Sequence, residues 1–361
     1  MPVKTNRLSL ALYKASVPLL ILILLTCACI PVTGIPINTL NPAPSENWYS
    51  VYFTIPSDPS ATTYRGGIDK WLVSAIDQAR ISADVAIYDL NLWSLRDALI
   101  NAYRRGLQVR VVTDSDNLDE QEIQELKESG IQVQGDHREG LMHDKFVIID
   151  RLEVWTGSMN FTTGGAYLDN NNLIRIRSSK LAEDYTTEFE QMFTGDHFGP
   201  SKISGTPDPA FTLDGSLIEV YFSPEDGTLE HILSAVNAAQ ESVYFLAYSF
   251  TSDDLRQALL RLAQAGVTVA GVFDHDQHLF NTGTEYENLL DAGIDVRLDG
   301  NPRLMHNKVI IIDQQVVITG SYNFSNNAEH NNDENTLIIH NQDIAAQYLA
   351  EFQQVFQNGQ R

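Results

Sequence analysis

Two sets of the same five polar residues stand 163 positions apart in this 361-residue chain. His143, Lys145, Asp150, Ser158 and Asn160 recur as His306, Lys308, Asp313, Ser321 and Asn323, within MHDKFVIIDRLEVWTGSMN and MHNKVIIIDQQVVITGSYN. Each set offers an imidazole able to attack an electrophile or carry a proton. It also offers an ammonium to offset an anion, and hydroxyl and amide groups to donate hydrogen bonds to oxygen. Five polar residues repeated at identical offsets around an apolar run are not a chance coincidence.

The elements that must position them also repeat. Side chains alternate faces along a strand, so His143 and Lys145 point the same way, as do His306 and Lys308. Asp150 and Asp313 lie seven positions beyond their histidines and fall on the opposite face, which favours an anchoring role for them. The apolar runs 146–149 and 309–312 fill both faces, as in a buried central strand. Before these strands each half shows a helical spacing (Ile68, Leu72, Ile76; Leu229, Ile232, Leu233, Val236). Strand-length runs 84–90 and 242–250 follow, then the matched helices Leu95-Arg96-Asp97-Ala98-Leu99 and Leu255-Arg256-Gln257-Ala258-Leu259, stopped before Gly106 and Gly266. Strands 107–113 and 267–273 come next, and helices 180–193 and 343–356 close the halves. This alternation predicts an α/β fold of two duplicated lobes, each a mixed sheet flanked by helices, packed about a pseudo-twofold axis. The expected boundaries are lobe one at 47–195, a Pro/Gly-rich linker at 196–215 and lobe two at 216–361.

The shared pattern, H-x-K-x4-D-x6-G-S-x-N, resembles the signature of the phospholipase D superfamily of phosphodiesterases, and the resemblance covers both halves. It implies that the two lobes meet face to face around one phosphate. Lys145 and Lys308 would counter its charge, while Ser158, Asn160, Ser321 and Asn323 would donate to its oxygens. One imidazole would attack phosphorus, forming a phosphohistidine, and the other would protonate the departing oxygen and later activate water; His143 is assigned to attack and His306 to proton transfer. Neither metal nor cofactor is implied. Asp150 and Asp313 are carried in the catalytic set as members of the signature. Family members hold a histidine Nδ1 with a carboxylate a little after the Asn. Glu334 fits in the second copy, with Asp333 beside it, but the first copy reads Asp169-Asn170-Asn171-Asn172 and leaves Asp169 or Asn172 as substitutes.

Other groups compete for a role. Asp114 and Asp116, matched by Asp274-His275-Asp276 with His278 nearby, could bind a divalent ion, although a solvated loop rim accounts for them better. Trp93 and Phe280 could form an apolar lip for a lipid chain, set against the commoner case of scattered aromatics.

Lys4, Arg7 and Lys14 precede an apolar run at 17–25 and then Thr26-Cys27-Ala28-Cys29, the layout of a signal peptide. Ahead of retention as an uncleaved anchor, two outcomes are expected of residues 1–34: cleavage after Gly34, or lipidation of Cys27 or Cys29 as in a bacterial lipoprotein. Either places the folded part outside the cytoplasm, behind a tether at 35–46 that carries prolines 36, 42 and 44. The chain's two cysteines both lie in this leader, so the body contains neither a disulfide nor a cysteine metal site. Formal net charge is −23, and the leader holds three bases and no acid, leaving −26 on the body. Such a field opposes nucleic acid and anionic bilayers. The expected activity is therefore extracytoplasmic hydrolysis or transfer of phospholipid headgroups to give phosphatidate, by a monomer with no obligate protein partner. A nuclease of the same superfamily is the first alternative. A cardiolipin-synthase-like phosphatidyltransferase and a non-catalytic phosphate-binding module follow.

Overall fold

The computed structural model describes residues 47–361; the expected leader and tether lie outside the described residues. Lobe one holds β1 (Tyr49–Phe53), β2 (Ser82–Ile87), β3 (Gln108–Thr113), β4 (Gln132–Gly135), β5 (Lys145–Ile149), β6 (Glu153–Gly157) and β7 (Asn172–Arg177). Lobe two holds β8 (Ala210–Leu213), β9 (Ser216–Ser223), β10 (Ser242–Ala247), β11 (Thr268–Phe273), β12 (Asp295–Leu298), β13 (Lys308–Ile312), β14 (Val316–Gly320) and β15 (Glu334–His340). The sheet orders are β1-β7-β6-β5-β2-β3-β4 and β8-β9-β15-β14-β13-β10-β11-β12. Apart from the added β8, the second order repeats the first. In both sheets the three strands at one edge run parallel and the signature hairpin, β5–β6 or β13–β14, sits at the centre.

Two kinds of core hold the lobes. The outward faces of the signature strands (Val147, Ile149; Ile310, Ile312) pack under each lobe's own helices, on Leu72, Leu95 and Leu99 or on Leu255 and Leu259. The inward faces (Phe146, Ile148; Val309, Ile311) share one core with the closing helices Ser179–Phe193 and Gln342–Asn358. Those helices start where Ser178 and Asn341 accept the N–H of Leu181 and Ile344. Tyr185 of the first packs on Phe146 and on Phe222 of lobe two, at 4.9 and 5.1 Å. Tyr348 of the second packs on Phe53 of lobe one at 5.1 Å. The lobes are therefore halves of a common interior.

A buried polar network sets the register of that seam. Asn335 donates to Asp144 of lobe one (2.9 Å) and accepts from Thr156 (2.7 Å) and Tyr185 (3.1 Å). Its counterpart Asn172 donates to Asn307 of lobe two (2.8 Å) and accepts from Thr319 (3.0 Å) and Tyr348 (3.1 Å). Fully satisfied amides tolerate burial, whereas an orphaned one costs about 1–3 kcal/mol, so sliding the lobes is opposed from both sides.

The expected linker at 196–215 is more structured than its composition suggests. Residues 210–213 pair with β9, and Gly199 donates its N–H to Asp333 at 2.7 Å. Lys202 is buried against Glu188, Glu225 and Asp333. The segment supplies a cation to an acidic seam, which propensity alone does not reveal.

Candidate active site

The two histidines enter the site at the starts of β5 and β13, each fastened to the opposite lobe. His143 donates its backbone N–H to Asp333 O (3.0 Å), and Asp333 N–H returns to Leu141 O (2.9 Å). His306 N–H reaches Asn170 O (2.9 Å), and Asn170 N–H returns to Leu304 O (2.8 Å). These short bridges form only when the lobes are docked.

Each ring is also held across the seam. His143 Nδ1 lies 2.8 and 2.9 Å from the Glu334 carboxylate oxygens, and Asn332 Nδ2 donates to that carboxylate at 3.2 Å. Glu334 thus serves the histidine of the other copy. His306 Nδ1 lies 3.0 Å from both Asn171 Oδ1 and the Ser158 carbonyl. Asn171 stands 163 positions before Glu334, at its equivalent place. In each ring Nδ1 is engaged, which leaves Nε2 as the nitrogen for chemistry. Lys145 and Lys308 donate to the carbonyls of their own histidines (2.7 and 2.8 Å) and lie over Tyr88 and Tyr248. These tyrosines meet the imidazoles edge-on, at 5.2 and 4.5 Å.

The four groups act on one another electrostatically. Burial, then the charges of Lys145 and Lys308, push His143 well below the usual histidine range. Burial, the two lysines and His143 do the same to His306. Burial lowers Lys145 to about 8 against the pull of Glu334, and drives Lys308 well down with Lys145 adding to the effect. Burial raises Glu334 to about 8 against the pull of Lys145. Two buried ammonium groups beside neutral imidazoles make a pocket whose charged forms are costly until an anion enters. An anion between the lysines favours the protonated forms of both lysines and histidines.

The structure brings His143, Lys145, His306, Lys308 and Glu334 together and gives Ser158, Ser321, Asp150 and Asp313 other places than expected. Ser158 and Ser321 are fully buried behind the rings. Ser158 Oγ donates to Asn171 Oδ1 (2.8 Å) and accepts from Asn172 N (3.0 Å). Ser321 Oγ accepts from Asn335 N (3.0 Å) and bonds Glu334. They steady the groups that hold the imidazoles and do not face a phosphate. The glycine before each is required because a Cβ at Gly157 or Gly320 would meet Asn172 O or Asn335 O at 2.4 or 2.1 Å. Asn160 and Asn323 are half-buried, each with a buried Oδ1 lacking a hydrogen-bond partner.

Asp150 and Asp313 leave the catalytic set. Asp150 accepts from the N–H groups of Arg80, Ile81 and Ser82, and Asp313 from Gln240, Glu241 and Ser242. They occupy left-handed turn positions at the far end of the signature strand, roughly 20 Å of extended chain from the histidines. The anchoring role inferred from parity holds, but its cause is distance along the strand.

Asp114 and Asp274 do not form a solvated rim. Both are buried. Asp114 accepts from Asp116 N and Met142 N, and Asp274 from Gln277 N and Met305 N, thereby tethering the residue before each histidine. Among the described residues no group of three or more His, Cys, Asp or Glu is disposed to hold a metal ion. Asp169 faces Arg303 at 3.7 Å and Asn172 spans the seam, so neither takes the carboxylate's place beside His306. Sequence reasoning missed Asn171, Asp144, Asn335, Tyr88 and Tyr248; subtracting 163 from the position of Glu334 would have found the first.

Compared with known proteins, residues 72–193 and 232–356 each match a family model described as cardiolipin synthase, PLD-like domain. A phospholipase D of Rickettsia bellii is 34% identical over 172 residues, 46% of this chain and 81% of that protein. The mitochondrial cardiolipin hydrolase of Homo sapiens is 37% identical over 132 residues, 37% of this chain and 52% of its own length. Phosphatidylserine synthase of Haemophilus influenzae shares the fold across 86% of this chain and 87% of its own, with a TM-score of 0.64 at 14% identity.

Proposed function

Because the chain belongs to the phospholipase D superfamily and is a phosphodiesterase of that type, we propose that it hydrolyses phospholipid headgroups outside the cytoplasm to give phosphatidate. The observation that carries the reading is the crossed pairing of Glu334 with His143, beside a second imidazole held by Asn171.

In this reading His143 Nε2 attacks phosphorus. The bond to the headgroup oxygen breaks, and that oxygen takes the proton from His306 Nε2. Water then gives a proton to His306 and attacks phosphorus, breaking the P–N bond and restoring both rings. Glu334 at Nδ1 stabilises the positive charge His143 gains on attack, as carboxylates do for catalytic histidines. The neutral amide of Asn171 leaves His306 a weaker base, and so a stronger acid once charged. The substrate's anionic phosphate, set between Lys145 and Lys308, favours that charged form. Transfer to another alcohol follows if the alcohol replaces water in the second step.

Residues 1–34 are the proposed export signal, with Cys27 or Cys29 as lipid attachment points, and the active unit is proposed as a monomer because one chain supplies both halves. The −26 on the body weighs against a nucleic acid substrate. Turnover of phosphatidylcholine and single-stranded DNA, assayed side by side, tests the reading: choline release is expected, and cleavage of DNA alone would overturn it.

A further inference from the structure

Lobe two departs from lobe one at a turn beside the site. In lobe one the turn Ser115–Asn117 is followed by Leu118, which packs against the lobe's own core. In lobe two the matching turn extends into the helix His275–Phe280 and ends on Leu279 and Phe280, 56% and 82% exposed. Phe280 is the most exposed large apolar side chain among the described residues.

This protrusion is fastened to the wall of the site. Asp274, at its start, also holds the N–H of Met305, next to His306. Gln277 bonds Tyr248, the ring against His306. Asn281 donates to Ser249 at 3.0 Å. Residues 277–284 carry neither acid nor base apart from His278, a charge-free window on a body at −26.

We infer that Leu279 and Phe280 insert into a zwitterionic phospholipid surface and so bring bilayer headgroups to the mouth of the site. The inference rests on the phospholipid reading above. Two side chains fall far short of the roughly 1,000 Å² that a stable protein interface requires. They do suffice for insertion among acyl chains, where full burial of each changes affinity by roughly ten- to a hundred-fold. The acidic body disfavours anionic lipid, so phosphatidylcholine is the surface of choice.

The test uses the full chain with Cys27→Ser and Cys29→Ser, so that no attached acyl chain contributes. Leu279→Asp with Phe280→Asp should weaken sedimentation with phosphatidylcholine vesicles at least tenfold and leave turnover of soluble bis(p-nitrophenyl) phosphate unchanged. Phe280→Trp should add indole emission that brominated phosphatidylcholine quenches. Equal sedimentation of the parent and the double-Asp protein would overturn the inference, as would failure of the lipid to quench the added emission of Phe280→Trp. Sedimentation is read independently of hydrolysis. Vesicle binding with quenching but without choline release would therefore uphold the docking surface and count only against the substrate.

Discussion

The halves of the site around His143 and around His306 share a backbone plan and differ in charge. Four equivalent pairs differ. In Glu334 against Asn171, Asp144 against Asn307 and Asp333 against Asn170 the acid stands on the His143 side and the amide on the His306 side. The fourth, Asp169 against Asn332, is reversed, and its acid faces Arg303 at 3.7 Å. The hydrogen bonds are nonetheless nearly superimposable, since an amide oxygen accepts as a carboxylate does. Cations follow the acids. Arg138 pairs with Asp333, and Lys202 lies among Asp333, Glu188 and Glu225. On the other side Glu351, the counterpart of Glu188, bonds Asn170, and burial raises it to about 7. Duplication supplies two equal imidazoles; acid-to-amide exchange makes one electron-rich and the other a better acid.

The largest expected effect comes from removing the carboxyl that separates the halves. Glu334→Gln should lower kcat by up to about 10,000-fold and displace the pH–rate profile, as loss of a histidine-bound carboxylate does elsewhere. Asn171→Ala should cost about tenfold, the loss of roughly one hydrogen bond. Equal losses would mean the two rings are interchangeable. The same contrast extends to stability. Lys202→Met strands Glu188 and Glu225, leaves Asp333 to Arg138 alone, and should destabilise the fold by about 3–5 kcal/mol in urea unfolding. Glu351→Gln, replacing a buried carboxyl held by the Asn170 amide and not by a cation, should change it by less than about 1 kcal/mol.

Anion binding reports on the lysines shared by both halves. Lys145 is pushed down to about 8, so its charge is present below that pH and lost above it. Vanadate affinity, read by inhibition, should hold below about pH 8 and fall on the order of tenfold per pH unit above it. A flat profile from about pH 7 to about pH 10 would show that the ammonium groups do not meet the anion. The smallest effect on turnover belongs to Asp150→Asn and Asp313→Asn. Each should keep kcat within about threefold while costing about 1–2 kcal/mol of stability through weaker backbone bonds. For Asp313 burial raises the carboxyl, but three backbone N–H groups outweigh it and hold the group below its ordinary value. Its stabilising contribution is accordingly present at neutral pH and lost as pH falls through the folded-state value.

Much of this architecture is legible in the chain because the signature strands must be buried and central, which places His143, Lys145, His306 and Lys308 at their open ends. The lobes, sheets and closing helices follow from the same repeat. Less legible is anything decided across the seam. Asn171 and Asn172 sit in an asparagine-rich run that reads as a polar loop, yet both are buried, one on a histidine and one on lobe two. Ser158 and Ser321 look like phosphate donors until the glycine before each turns them inward. Asp150 shows how parity reaches a sound role by an incomplete route, since the strand ends before face decides anything. Lys202 looks like linker composition, and only the acids of both lobes explain its burial.

The division of labour between the imidazoles is tested most directly by single-turnover burst kinetics on bis(p-nitrophenyl) phosphate, whose leaving group departs without an acid. His306→Asn should release about one p-nitrophenolate per chain and then stall, with acid-labile phosphate mapped to His143; His143→Asn should give neither burst nor phosphohistidine. A burst from His143→Asn with phosphate on His306 would contradict the account.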